Sequence, residues 1–471
     1  MRPLDELSAR WTTRHYLLMA LVGLLIGLRR ALAAPEPDVY WEARYGLDVL
    51  STGKLPYVDT YSWTAAGREW IPNSWGWDVL LGGTYRVLGF AGFGLLVVLF
   101  AVAAALLIGR AAAGFGAEPT RTAMVFVVVG QLAVVSYARA EVLTCLAVLA
   151  IRPLLERLLH GDRRQAVGTV VVIFGIEVLW MNLHSGALVG PVLLAAGGTA
   201  GLLARSRFPG LREGALRLVI AVGAAIGGCF MTPYGASAVF HVGAVRDSSA
   251  GLISEWNHPG FGSAAQTVGV IALAAAVVGA WLSWRLQRPE MTGILLALGV
   301  GTASAIRFGP MVAVASAPVF AAALSRLEVR PVMARRILAL GCVLVAGMAI
   351  NETRQYRHVD QAGRSPALVD VLPAGCRLVN DYDIGGMVLL ARPDVLVSLD
   401  GRNDMYGRND VIAAVRMLAY PRRAIPRMDA HGVDCVLAQT QWPLVKALSK
   451  DPRWQVAATD SVRTLLVRRQ A

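Results

Sequence analysis

The chain is poor in charge. Only 16% of its 471 residues are Asp, Glu, Lys or Arg, against 55% that are hydrophobic. That balance excludes an ordinary soluble enzyme and fits a chain that crosses a membrane many times. The five cysteines are scattered, with no CxxC and no Cys/His cluster, so a structural zinc site has no ligand set here. Cys145, Cys229 and Cys342 lie inside apolar runs and read as buried thiols. No internal repeat is visible and few charges fall mid-run. A secondary transporter would be expected to show repeated halves and polar groups near the bilayer midplane. The net charge of +13 does not mark a nucleic-acid binder, because the arginines sit in short loops between apolar runs.

What is present is a series of apolar runs of membrane-spanning character. They fall at Tyr16–Ala34, Val79–Ile108, Thr122–Tyr137, Ala140–Leu155, Val167–Met181, Ser185–Ala204, Ala215–Met231, Gln266–Trp284, Met291–Ala305, Gly309–Leu324 and Ile337–Ile350. The break at 137–140 reads as a tight hairpin turn. The first run ends in Ala31-Leu-Ala-Ala34, which mimics a signal-peptide cleavage site, but the number of runs that follow favours a retained first span. With the N-terminus cytoplasmic, the inner loops hold the arginine groups, such as Arg2, Arg10 and Arg14, then Arg152, Arg157, Arg163 and Arg164, then Arg205, Arg207, Arg212 and Arg217. The outer loops hold fewer over more residues, as the positive-inside rule requires. An odd number of spans then puts everything after Ile350 outside the cytoplasm.

Between the first two runs lies a polar island, Pro35–Asp78. It is crowded with Trp41, Trp63, Trp70, Trp75 and Trp77, four tyrosines, and Asp38, Glu42, Asp48, Asp59, Glu69 and Asp78. Asp38 opens a helix-like stretch with Val39, Ala43, Leu47 and Leu50 on one face and Tyr40 and Trp41 as interfacial anchors. Two readings of Asp38 stay open: an N-cap of that helix, or a functional carboxylate held at the membrane surface. The same outer side receives Arg139 and Glu141; Glu177, Asn182 and His184; Thr232-Pro-Tyr-Gly235; Asp247, Glu255, Trp256 and His258; and Arg307. Taken singly these have plain readings: His184 as a satisfied helix-end histidine, Glu255 as part of an interfacial turn, Arg139 paired with Glu141. Ionisable groups beside membrane helices are nonetheless functional candidates, and so many loops converging on one side point to an outer-face site.

The tail, 351–471, has a different composition. Strand-like runs at Cys376–Asn380, Val395–Leu399, Cys435–Ala438, Trp454–Ala458 and Thr464–Val467 are interspersed with helix-like runs at Ile384–Ala391, Val411–Leu418 and Leu444–Leu448. This alternation predicts a small α/β domain with a largely parallel sheet. Asp381, Asp383, Asp400, Arg402 and Asp404 follow strands and would share the carboxyl edge where such sheets bind ligands. The alternative is a pair of turns, with Asp400 and Arg402 as a structural ion pair. Cys376 and Cys435 both fall at strand starts, and whether they form a disulfide stays open.

The fold class is therefore a polytopic α-helical membrane protein of about eleven transmembrane helices. Residues 1–350 form the membrane domain, including the first outer loop 35–78, and residues 351–471 an extracytoplasmic α/β domain. The layout resembles the GT-C class of polytopic glycosyltransferases that use polyprenyl-phosphate sugars, and more narrowly a bacterial group with a C-terminal extracytoplasmic domain. The resemblance rests on Pro37-Asp38-Val-Tyr-Trp41, Thr52-Gly-Lys-Leu-Pro56, Asp59-Thr-Tyr-Ser-Trp-Thr-Ala-Ala-Gly-Arg68, Trp70, Asn182-Leu-His184-Ser-Gly186, Pro233-Tyr-Gly235, Glu255-Trp256, Asn380-Asp-Tyr382, Gly385-Gly386 and Asp400-Gly-Arg402-Asn-Asp404-Met-Tyr-Gly407.

The resemblance implies an inner-membrane enzyme that transfers a sugar from a polyprenyl-phosphate donor to a glycan, lipid or protein acceptor, with no nucleic-acid partner. Asp38 would be the general base. Arg307, and with it His184, would contact the leaving phosphate. Glu255 and Asp59 would bind sugar hydroxyls or a cation, Trp41 would stack on sugar or lipid, and Asp400 and Arg402 would serve acceptor binding or docking. No fixed cofactor follows. A divalent cation stays open, although Asp38 is followed by Val39 rather than a second acid, and Asn73-Ser74-Trp75 stands where a histidine before the tryptophan is expected. A transporter or flippase of a lipid-linked saccharide, or a noncatalytic envelope-assembly protein, is the rival reading.

Overall fold

In the computed structural model the described residues are 11–33, 35–133, 138–204, 211–249, 251–363 and 365–469. Part of the turn expected at 137–140 lies outside them, as do Arg2, Arg10, Arg205 and Arg207. In chain order the helices are α1 (Thr13–Ala31), α2 (Asp38–Thr52), α3 (Trp75–Leu88), α4 (Phe90–Gly114), α5 (Pro119–Ala133), α6 (Glu141–His160), α7 (Arg163–Leu183), α8 (Val189–Ala204), α9 (Leu211–Cys229), α10 (Ala236–Ser249), α11 (Ala264–Arg285), α12 (Pro289–Ser304), α13 (Gly309–Leu324) and α14 (Pro331–Gly363). Each apolar run read from the sequence overlaps one or two of these helices. The run Val79–Ile108 is divided between α3 and α4 at Gly89, whose positive φ of 58° lies outside the helical region. Six described segments are long and apolar enough to cross a membrane: Phe90–Gly114, Arg163–Leu183, Ser185–Ala204, Ala264–Arg285, Ile306–Leu324 and Pro331–Arg354.

The chain divides into two compact units that are not contiguous in sequence. The first comprises Met1–Ala33, Phe93–Phe240 and Ile253–Asn351, and is helical. Its helices approach closely where side chains are small, as membrane helices do. A Cβ on Gly23 of α1 would come within 2.9 Å of Ala101 O on α4, and one on Gly27 within 2.8 Å of Val98 Cα. Gly293 of α12 lies against the backbone of Ala196 on α8 in the same way.

The second unit comprises Ala34–Gly92, His241–Leu252 and Glu352–Ala471, so the first loop and the tail fold together. Its strands are β1 (Arg377–Asn380), β2 (Leu396–Val397), β3 (Cys435–Gln439), β4 (Trp454–Thr459) and β5 (Arg463–Arg468), in the order β2-β1-β3-β5-β4. β1 pairs parallel with β2 and β3, with Leu378 opposite Val397 and Cys435. β5 runs antiparallel to β3 and β4. Parallel pairing needs crossovers, and α15 (Pro366–Asp370), α16 (Gly385–Ala391), α17 (Asn403–Ala419), α18 (Pro421–Ala430) and α19 (Pro443–Leu448) include those that join β1, β2 and β3. Between β4 and β5 only a short turn intervenes, so that pair is a hairpin.

Alternate residues of each strand go to opposite faces. Leu378, Cys435, Leu437 and Leu465 pack with Leu368, Val388 and Val395 on one side. Val379, Val436, Ala438 and Leu466 pack with Met417, Met428, Leu444 and Leu448 on the other. The free edge of β2 is closed by the first loop. Ser62 bridges Val397, the Trp63 N–H donates to Val397 O at 3.1 Å, and the Val397 N–H donates to Tyr61 O at 3.1 Å. An edge strand is otherwise a template for stray pairing.

Candidate functional site

The proposed site residues fall in two clusters, one in each unit. In the second unit, α2 begins at Asp38 and ends in Gly53 with φ 66°, a left-handed cap whose N–H bonds Val49 O. The N-cap position belongs to Pro37, not to Asp38 as one reading of the sequence had it; Asp38 is the first helical residue. A carboxylate there is favoured by the positive end of the helix dipole. The Trp41 indole, one turn on, donates to Asp38 Oδ1 at 3.1 Å. The face expected to lie in the membrane interface is instead partly inside the protein: Val39, Ala43 and the anchor Tyr40 are buried, Leu47 is half-buried and Leu50 is 42% exposed.

Asp59, Asp400 and Arg402 come together, fully out of solvent. Arg402 Nε and Nη2 donate to the two oxygens of Asp400 at 2.8 and 2.6 Å, and Nη1 donates to Asp59 Oδ1 at 2.6 Å. The guanidinium lies 4.7 Å from the Trp70 ring centre and 5.0 Å from that of Tyr61. Asp59 also accepts from the backbone N–H groups of Tyr61 and Ser62, both at 3.1 Å, and Asp400 from the Tyr406 hydroxyl at 2.9 Å. Burial works against the Arg402 cation, but Asp400, Tyr406 and Asp59 outweigh it and hold the group charged. These three residues saturate one another. The geometry is that of the structural ion pair in the sequence reading, extended to the first loop.

The remaining tail acids separate from them. Asp381 accepts from the Trp442 indole at 2.7 Å, the Gln439 N–H at 2.8 Å and Arg463 Nε at 3.1 Å. Asp383 pairs with Arg463 at 2.8 Å, and Asp404 with His241 at 3.0 Å. The switch point of the sheet, beside β1, is filled by Asn380. Its amide donates to Leu399 O at 2.8 Å and accepts from the Ser398 N–H at 3.0 Å. Cys376 and Cys435 are buried free thiols whose sulfurs lie, with an Asp434 oxygen, within 4.8 Å of one another. That triplet is the metal-capable group among the described residues, and Asp434 already accepts from the Arg377 N–H at 2.8 Å.

In the first unit the second cluster gathers at helix ends. His184 caps the C-terminus of α7, and its Nδ1 lies 2.7 Å from Thr144 Oγ1, which in turn accepts from the Trp180 indole at 2.9 Å. A Cβ on Gly186 would lie 2.5 Å from both His184 Nδ1 and Thr144 Oγ1, which explains glycine in that motif. Thr144 and Trp180 lie inside apolar runs, and nothing in the sequence singles them out. Glu255 sits in a short helical turn, Ser254–Trp256. Arg139 reaches it at 3.2 Å rather than pairing with Glu141, whose Oε1 is buried with no hydrogen-bond partner among the described residues.

Arg307 stacks on Trp256, 4.2 Å from the ring centre, and forms no side-chain hydrogen bond or ion pair among the described residues. Burial tends to raise the Glu255 carboxyl, but Arg139 and Arg307 hold it below the usual range. Burial, then the Arg307 and Arg139 charges, push His184 down to about 3, so its imidazole is neutral at physiological pH.

Compared as a sequence, the chain matches no family model and no curated protein. Compared as a structure, it is similar to ArnT from Cupriavidus metallidurans bound to undecaprenyl phosphate, with TM-score 0.59 and 16% identity over 96% of this chain and 97% of that one. The apo state of the same protein gives 0.58 and 15%. It is also similar to the archaeal oligosaccharyltransferase AglB from Archaeoglobus fulgidus in complex with an inhibitory peptide and a dolichol-phosphate. There the TM-score is 0.52 and the identity 12%, over 90% of this chain and 69% of that one. The fold is that of the GT-C class of polytopic membrane glycosyltransferases.

Proposed function

We propose that the protein is an inverting glycosyltransferase of the cell inner membrane that moves a sugar from a polyprenyl-phosphate donor to an extracytoplasmic acceptor. The observation that carries this reading is the GT-C fold, shared over nearly the whole chain with a protein bound to undecaprenyl phosphate. The free guanidinium of Arg307 on Trp256 supports it as a phosphate contact, since arginine matches phosphate oxygens bidentately.

In the reaction the acceptor oxygen bonds to the anomeric carbon while the bond from that carbon to the phosphate oxygen breaks. The electron pair leaves with the polyprenyl phosphate, and configuration inverts. Asp38 takes the proton of the acceptor hydroxyl. Arg307 and Arg139 meet the charge that grows on the leaving group. His184, being neutral, would serve as a hydrogen-bond group rather than a cation. Trp41 both faces the substrate and orients Asp38. Glu255 sets the arginines, and the locked set Asp59–Arg402–Asp400 holds the first loop, which carries Asp38 and Trp41.

The test is release of undecaprenyl phosphate from a panel of synthetic undecaprenyl-phosphate hexoses and pentoses by the purified protein in lipid nanodiscs, with envelope fractions as acceptor. Asp38→Asn should abolish release while undecaprenyl phosphate still binds. Transbilayer movement of the donor without release would instead support the flippase reading.

A further inference from the structure

The sequence left the Asp400-Gly-Arg402 turn open between an acceptor-docking edge and a structural ion pair. Its contacts add a further role. Gly401 lies against the carboxylate of Asp38: a Cβ built on it would overlap Asp38 Oδ1 and come within 2.8 Å of Trp41 Nε1. The neighbouring Gly386, near the start of α16, backs the same helix end: a Cβ built on it would meet Pro37 O at 2.9 Å and Trp41 N at 3.3 Å. The turn itself is fixed. The Arg402 N–H donates to Asp400 Oδ1 at 3.0 Å, the Asn403 N–H to Gly401 O at 2.8 Å, and the Asn403 amide to the Tyr382 hydroxyl at 2.7 Å. Arg402 then ties the turn to Asp59 of the first loop.

We infer that Gly401 is a positioning residue for Asp38: the tail domain supplies the wall that, with the Trp41 indole, sets the rotamer of the proposed base. The C-terminal domain is on this account part of the catalytic apparatus. The inference rests on the reading of Asp38 as base, but its geometric half does not.

The experiment uses the full-length protein in nanodiscs and compares wild type, Gly401→Ala, Trp41→Phe, Asp38→Asn and the double variant Asp38→Asn/Gly401→Ala. An added methyl group at Gly401 meets the end of the Asp38 side chain and, at 2.8 Å, Trp41 Nε1, so the carboxylate turns aside. Gly401→Ala should lower kcat for undecaprenyl phosphate release at least tenfold, with KM for the donor and Tm within error of wild type. The double variant should be no worse than Asp38→Asn alone, as groups acting through one another behave. Labelling of Asp38 by a water-soluble carbodiimide, mapped by mass spectrometry, should change severalfold in Gly401→Ala while labelling at Asp451 stays constant.

Wild-type turnover in Gly401→Ala, or unchanged labelling of Asp38, overturns the inference. Should Gly401→Ala fail to fold, Trp41→Phe, which removes the other contact to Oδ1, carries the same kcat and labelling predictions and the same refutation. An active Asp38→Asn refutes the base assignment instead, and the labelling result then still decides whether Gly401 sets the side chain.

Discussion

Arg402 joins the first loop to the tail, its guanidinium bonded to Asp59 and to both oxygens of Asp400. Asp400-Gly-Arg402 reads as a local pair near a strand end, and Asp59 as an isolated acid some 340 positions away; no pattern in the chain joins them. Because the triad is shielded from water, removing the cation leaves two carboxylates buried and unpaired. Arg402→Met should cost about 3–5 kcal/mol of stability. Arg402→Lys should recover little of it, since a lysine cannot fork to both oxygens of Asp400. Thermal unfolding followed by tryptophan fluorescence checks both.

His184 gives a second prediction at this scale. Its folded pKa is depressed, so the stability it contributes is present above the ordinary histidine pKa and is lost as pH falls toward about 3. Tm should therefore fall between pH 6.5 and pH 4. His184→Gln, which keeps a hydrogen-bonding side chain without a titrating one, should flatten that slope.

Among the elements, the apolar runs were legible because burial in lipid demands long uninterrupted apolarity. The strands of the tail were legible for a related reason, their short apolar runs alternating with helices. What was not legible is the edge of the sheet. The first-loop segment at Ser62 and Trp63 has the composition of a turn, yet it closes β2 through main-chain bonds that side-chain patterning does not record. Trp63→Pro removes the donor to Val397 O and should loosen the loop by about 1–3 kcal/mol. Limited proteolysis should then cut within residues 57–70 several times faster than in wild type. The kink in α17 is a similar case. Gly407 takes φ 73°, and the carbonyl of Tyr406 is taken by Arg68 at 2.8 Å.

For the molecule as a whole, the boundary at 350 was drawn where composition changes, but compactness groups residues 34–92 with the tail. Composition reports solvent and lipid; it does not report which polar segments fold on one another.

The central claim is that Asp38 is the base of a polyprenyl-phosphate sugar transferase. Its most direct test is undecaprenyl phosphate release by wild type and Asp38→Asn side by side, with undecaprenyl phosphate binding measured on both. Release should fall by about 100-fold or more, the scale of a lost general base, with binding unchanged. Release by Asp38→Asn at the wild-type rate would contradict it.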